Sequence, residues 1–165
     1  MVHPALLPVD KLLSQCQLHP TRRSGPGGQH RNKVQTAIVI EHLPTGIHGE
    51  ASERRSQAAN RERAIHRLRL NLALAIRQSP PKDNPHLWQK RIRGSRISIN
   101  PNHQDFPALL AIALDNVWNS QFVMSDSAEQ LGITTTQLIK LLKLEPAALT
   151  AINRERQKHG TPPLR

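Results

Sequence analysis

The sequence predicts an α+β fold: a small β-sheet packed with one long helix, then a compact all-helical module. Three observations predict it. Residues 34–51 hold two β-prone runs around a Pro/Gly turn. Residues 56–78 carry apolar side chains at helical spacing. Residues 101–165 break into four further helical segments and hold Phe106, Trp118 and Phe122, so only Trp88 among the Phe and Trp residues lies outside them.

The elements follow in order. Pro8 to Gln15 reads as a short helix. Cys16 to Arg23 reads as a strand, kept to a sheet edge by Pro20, which has no N–H for a ladder. Ser24 to His30 is a Gly-rich loop. In Val34 to His42, Thr36, Ile38 and Ile40 alternate with Ala37, Val39 and Glu41, the period of a strand. Leu43-Pro44-Thr45-Gly46 is a hairpin turn, and Ile47 to Ala51 is the return strand. Ser56 is an N-cap for a helix reaching about Gln78. Its stripe is Ile65, Leu68, Leu72, Ala75 and Ile76, with Arg63, Arg67 and Arg69 projecting elsewhere. Ser79-Pro80-Pro81 ends it.

This gives three regions: a domain over 1–79, a basic linker over 80–100 with a short β-prone run at Arg96 to Asn100, and a helical module over 101–165. The module's helices are expected at 105–120, 125–131, 135–144 and 146–159.

The net charge of +11 is segregated. Residues 1–79 carry a net +7, residues 80–100 a net +4, and residues 101–165 none. A polyanionic partner is therefore expected for the first hundred residues only. The first half has no aromatic residue, which excludes a base-stacking platform there. The single cysteine, Cys16, excludes an internal disulfide, fits a reducing cytosol, and reads as packing rather than as a nucleophile. No signal peptide and no membrane-length apolar run is evident, so a cytoplasmic chain is expected. No histidine pair has metal-ligand spacing, and no cofactor is implied. His30, Cys16 and Asp10 do not make a triad spacing.

The chemistry concentrates in Arg23-Ser24-Gly25-Pro26-Gly27-Gly28-Gln29-His30, followed by Asn32, by His42-Leu43-Pro44-Thr45-Gly46, by Arg55-Ser56-Gln57 and by Asn60. Taken in this order, over about residues 10–79, the set resembles the GGQ domain of class I peptide-chain release factors. The resemblance implies hydrolysis of the ester joining a nascent peptide to P-site tRNA, in the peptidyl-transferase centre of the large ribosomal subunit. Gly27, Gly28 and Gln29 are then the catalytic residues. The glycines keep a loop tip narrow and free in φ. In the family, the backbone N–H at Gln29 faces the developing oxyanion and its side chain places the water. The same glutamine is a candidate for N5-methylation. Arg22, Arg23, His30, Arg31, Asn32, Lys33, Arg55, Gln57 and Asn60 are the expected rRNA and tRNA contacts. Lys90, Arg91, Arg93 and Arg96 join them on grounds of charge. No oligomer, DNA or membrane partner is expected.

Two departures shape the expectation. Arg31 stands where release factors usually have Val, and Lys33-Val34 is closer to stop-codon-independent rescue hydrolases. Few residues precede the loop, which leaves no room for a codon-reading domain, so codon-independent release from stalled ribosomes or split large subunits is expected. The C-terminal run Ser127 to Thr134, with Gln137 and Leu138, resembles a helix-turn-helix, Gly132 supplying the turn and Thr134 the cap. Its second helix is mostly apolar, which favours packing or protein docking over DNA reading. A non-hydrolytic ribosome- or RNA-binding factor, and a helix-turn-helix DNA-binding regulator, stand as the alternatives.

Overall fold

The computed structural model describes residues 2–22 and 35–165. The chain divides into two compact units, Met1–Leu72 and Ala73–Arg165.

In the first unit a 3₁₀ turn (Pro4–Leu6) and helix α1 (Val9–Leu13) lead into strand β1 (Cys16–Thr21). Strands β2 (Ala37–His42) and β3 (Ile47–Ala51) complete an antiparallel sheet of order β1-β2-β3. Cys16 pairs with His42 and Thr21 with Ala37, while Ile38 pairs with Ala51 and His42 with Ile47. Pro20 lies on the edge strand, as expected. Ile38 and Ile40 on the central strand are buried, as their alternation predicted. At the β2–β3 turn, Thr45 and Gly46 donate to the carbonyl of His42, and Gly46 takes φ 68°.

Helix α2 (Gln57–Ala75) follows, its N-terminus capped by Ser56, whose Oγ accepts from Ala59 N–H at 3.3 Å. Ala64, Ile65, Leu68 and Leu72 form its buried stripe. Strand β3 lies directly on the helix backbone at Gly49, where an added Cβ would come within 2.3 Å of Leu68 N and 2.4 Å of Ala64 O. Asn71 Nδ2 donates to His48 O at 2.8 Å and Arg67 Nη1 to Glu50 O at 2.8 Å, fastening the same strand. Arg69 corrects the helical reading: it is buried, and its Nε and Nη2 donate to Ala5 O at 3.2 and 2.8 Å. A guanidinium can enter a core when a carbonyl is there to receive it.

The helix ends at Ala75 rather than near Gln78, leaving Ala75 exposed and Ile76 beyond the stripe. Within the second unit, Arg77 Nη2 donates back to the carbonyls of Ala73 and Leu74 at 2.8 and 2.5 Å, closing the terminus. Gln78 N–H then turns to Asp115 Oδ1 at 3.0 Å instead of continuing the helical ladder. Burial pushes the Arg77 guanidinium down from its usual value, opposed by the charge of Asp115, and it stacks 4.7 Å from the Trp118 ring centroid.

The rest of this unit holds helix α3 (His86–Gln89), a hairpin of β4 (Ile92–Arg93) and β5 (Arg96–Ile97), and helices α4 (Phe106–Asn119), α5 (Met124–Leu131), α6 (Thr135–Lys143) and α7 (Pro146–Lys158). Helix α4 is buried continuously from Phe106 to Val117, the signature of a central core helix. Residues 80–100, read from sequence as a linker, contribute the fully buried Trp88, whose Nε1 donates to Leu131 O at 2.8 Å. Between α5 and α6 Gly132 takes φ 68°, and Thr134 Oγ1 accepts from Gln137 N–H at 3.2 Å, so turn and cap are as expected. Leu138, Leu141 and Leu142 of α6 are buried.

Candidate functional site

The Gly-rich segment joins β1 to β2, whose ends pair at Thr21 and Ala37. Arg23 and residues 24–34, with Gly27, Gly28, Gln29, His30, Arg31, Asn32 and Lys33, lie outside the described residues. What is described is the frame: Arg22, exposed, on one side, and Gln35 and Thr36 on the other.

Helix α2 fixes the second side. Gln57 Nε2 donates to Gln35 O at 2.9 Å. Asn60 Nδ2 donates to Thr36 O at 2.7 Å and to Arg54 O at 2.9 Å, and Asn60 Oδ1 accepts from Arg54 N–H at 2.9 Å. Both the nitrogen and the oxygen of the Asn60 side-chain amide are thus occupied, and the residue is fully buried. The resemblance carried Gln57 and Asn60 over as RNA contacts. In the fold Asn60 faces inward and ties Arg54, ahead of α2, to Thr36, just before β2. Gln57 is exposed, and its amide nitrogen is committed to the main chain one residue upstream. Arg55 between them is exposed.

Beside this stem Glu53 gathers cations that the sequence did not single out as a set. Its Oε1 accepts from Arg67 Nη2 at 2.7 Å and lies 3.0 Å from Arg63 Nε, and its Oε2 accepts from Ser52 N–H at 3.0 Å. Burial raises the carboxyl. Hydrogen bonds from the backbone N–H groups of Glu53 and Ser52, then the hydrogen bond and charge of Arg67, outweigh it and bring the value to about 2. Arg63 and Arg67 are therefore partly neutralised in place. Cys16 donates its Sγ–H to Leu12 O at 3.1 Å and burial pushes the thiol up, which makes it a poor nucleophile.

The remaining candidates lie in the second unit and differ among themselves. Arg91 Nη2 donates to Asp105 Oδ2 at 2.5 Å and is half-buried, so its charge is spent inside the fold. Lys90, Arg93 and Arg96 are exposed. This split is not legible from residue order, because Asp105 lies fourteen residues away.

A three-stranded antiparallel sheet crossed by one helix, with a Gly-Gly-Gln segment between its first two strands, defines a class I release-factor domain. Residues 13–103 match the RF-1 domain family, and the chain belongs to that family. It is 45% identical over 71 residues to peptide chain release factor 1 of Xylella fastidiosa (strain 9a5c), covering 43% of this chain and 17% of that protein. It is 40% identical over 84 residues to peptide chain release factor PrfB1, chloroplastic, of Arabidopsis thaliana, covering 51% of this chain and 17% of the relative. The chain thus spans about a sixth of the length of these relatives. The family match runs through residues 80–103 and so takes in Trp88 and the β4–β5 hairpin. Among the described residues no helix is long and apolar enough to cross a membrane.

Proposed function

We propose that this chain hydrolyses the ester of peptidyl-tRNA in the peptidyl-transferase centre of the ribosome, and does so without reading a codon. The observation that carries the reading is the Gly27-Gly28-Gln29 sequence within the RF-1 domain match, on the segment that joins the paired ends of β1 and β2. Water adds to the ester carbon, the negative charge that builds on the carbonyl oxygen is stabilised by the Gln29 backbone N–H, and collapse of the adduct breaks the bond to the tRNA ribose oxygen, which leaves as a hydroxyl carrying a proton from the water. One such donor is worth about 3 kcal/mol in other enzymes. The Gln29 amide is uncharged, so it enters a pocket walled by phosphates without repulsion. Gln57 and Asn60 hold the main chain at Gln35 and Thr36, where the segment returns to the sheet.

Codon independence is supported by Lys33-Val34, which resembles the stop-codon-independent rescue hydrolases more than the termination factors. Residues 104–165 make a helical module without net charge, and α6 buries its apolar stripe within that module. The partners are large-subunit rRNA and P-site peptidyl-tRNA, met in the cytoplasm by a monomer.

The test is single-turnover peptide release from matched ribosomes carrying a stop codon, a sense codon or truncated mRNA, and from isolated large subunits holding peptidyl-tRNA. Release is expected on all four at similar rates. A rate more than about tenfold faster on the stop codon, roughly 1.4 kcal/mol of discrimination, means that the chain reads codons. Binding without release on any substrate means a non-hydrolytic factor.

A further inference from the structure

We infer that the β4–β5 hairpin is a clamp for the phosphate backbone of RNA, with Arg93 and Arg96 as its two contacts and helix α6 as its brace. The choice of RNA rests on the ribosomal reading above; the clamp itself rests on the hairpin.

Arg93 and Arg96 are direct cross-strand partners in a hairpin with two residues per strand. Like charges in that relation destabilise a strand pair. Both are exposed, and among the described residues no carboxylate lies within ion-pair distance of either, or of Lys90. Arg93 Nη1 donates to Lys90 O at 3.0 Å and to Ile92 O at 2.8 Å, which draws its guanidinium back beside Lys90. Arg91 in the same segment is neutralised by Asp105, so the fold quenches one cation of four and leaves Lys90, Arg93 and Arg96 without a carboxylate partner among the described residues. An anion seated between the two guanidiniums would relieve their repulsion and accept charge-assisted hydrogen bonds from both, and phosphate geometry suits that fork.

The hairpin is also fixed in place. Ser95 O, in its turn, accepts from Thr134 N–H at 3.2 Å, and Ile97 N–H donates to Gln137 Oε1 at 3.3 Å. Thr134 and Gln137 are the cap and the third residue of α6, so the second helix of the helix-turn-helix-like pair positions the arginines. This use of α6 argues against base reading in DNA. Gln137, a side chain suited to an adenine edge, is committed to Ile97, and Leu138, Leu141 and Leu142 are buried. What remains is backbone recognition, which carries no base sequence and suits folded rRNA.

The whole chain is titrated against isolated large ribosomal subunits over a salt series. For Arg93→Ala/Arg96→Ala the slope of log affinity against log salt should fall by about 1.5, two phosphate contacts at roughly 0.7–0.9 each. Affinity at low salt should drop about tenfold or more, with Tm equal to or above the parent because a like-charge pair is gone. Gln137→Ala keeps the cations and loosens the brace, so affinity should fall severalfold with the slope unchanged. Inorganic phosphate at matched ionic strength should not displace the subunit, since a single phosphate lacks the neighbouring contacts. An unchanged slope in the double variant overturns the clamp. Tighter binding to duplex DNA, lost in the same variant, overturns RNA as its occupant. Binding is read apart from release, so a chain that binds with full slope but releases no peptide leaves the clamp standing and removes the hydrolase reading.

Discussion

The side-chain amide of Asn60 donates to the carbonyl oxygen of Thr36 across 2.7 Å, so helix α2 holds the main chain where the Gly-Gly-Gln segment returns to the sheet. Asn60→Asp removes both donors and sets a carboxylate against two carbonyls in a buried site. Stability should fall by about 3 kcal/mol, the cost of unsatisfied buried polar groups. Urea unfolding measures it; a loss below about 1 kcal/mol means that water replaces the amide.

Gln57→Glu asks whether the stem matters to chemistry rather than to folding. Gln57 is exposed, so Tm should hold. The carboxylate repels Gln35 O where the amide donated to it, and the release rate at saturating protein should fall severalfold with subunit affinity unchanged. The opposite split, affinity lost and rate kept, makes Gln57 an RNA contact, as the resemblance implied.

Gly28→Ala adds a Cβ within the Gly-Gly-Gln sequence. Peptide release should be abolished, while pelleting with ribosomes shows nearly intact binding. Full release in this variant removes the catalytic assignment.

Gly49→Ala tests the closest strand–helix approach. The added Cβ meets the backbone of Leu68 and Ala64, neither of which can swing aside as a side chain could. A cost of about 3 kcal/mol or more is expected, at the upper end of overpacking effects. A denaturation midpoint equal to the parent's would show that β3 can lift off α2.

His42 gives the fold a pH dependence. Its Nδ1 is 2.8 Å from Thr45 Oγ1 and its Nε2 3.0 Å from Gln15 Oε1, and burial lowers its pKa from 6.5. The folded state therefore favours the neutral ring. This contribution is present above about pH 6.5 and is lost as pH falls through the lower folded value. The urea midpoint should drop between pH 7.5 and pH 5, and His42→Asn should flatten that part of the dependence. An identical pH profile in the variant assigns the effect elsewhere.

Local signals in the sequence determined most of the element order. Ser56 at its cap, Gly46 and Gly132 in left-handed turns, and Pro20 on an edge strand each act over a few residues, and each stands where the sequence placed it. The Gly-Gly-Gln triplet together with the ordered residues from Asn32 to Asn60 was enough to point to the release-factor family, because that pattern needs only order along the chain. Only the tertiary structure decided where polar side chains spend their hydrogen bonds. Asn60 turns inward to Thr36 and Arg54, Arg69 enters the core for Ala5 O, Arg91 is spent on Asp105, and the helix stops at Ala75 where Arg77 and Asp115 take over its end. Trp88 makes the same point for the basic stretch, which is anchored by a carbonyl on Leu131. The physical reason is range. Apolar periodicity shows which face of an element is buried, but a buried donor needs one particular acceptor, and that acceptor lies up to 64 residues away.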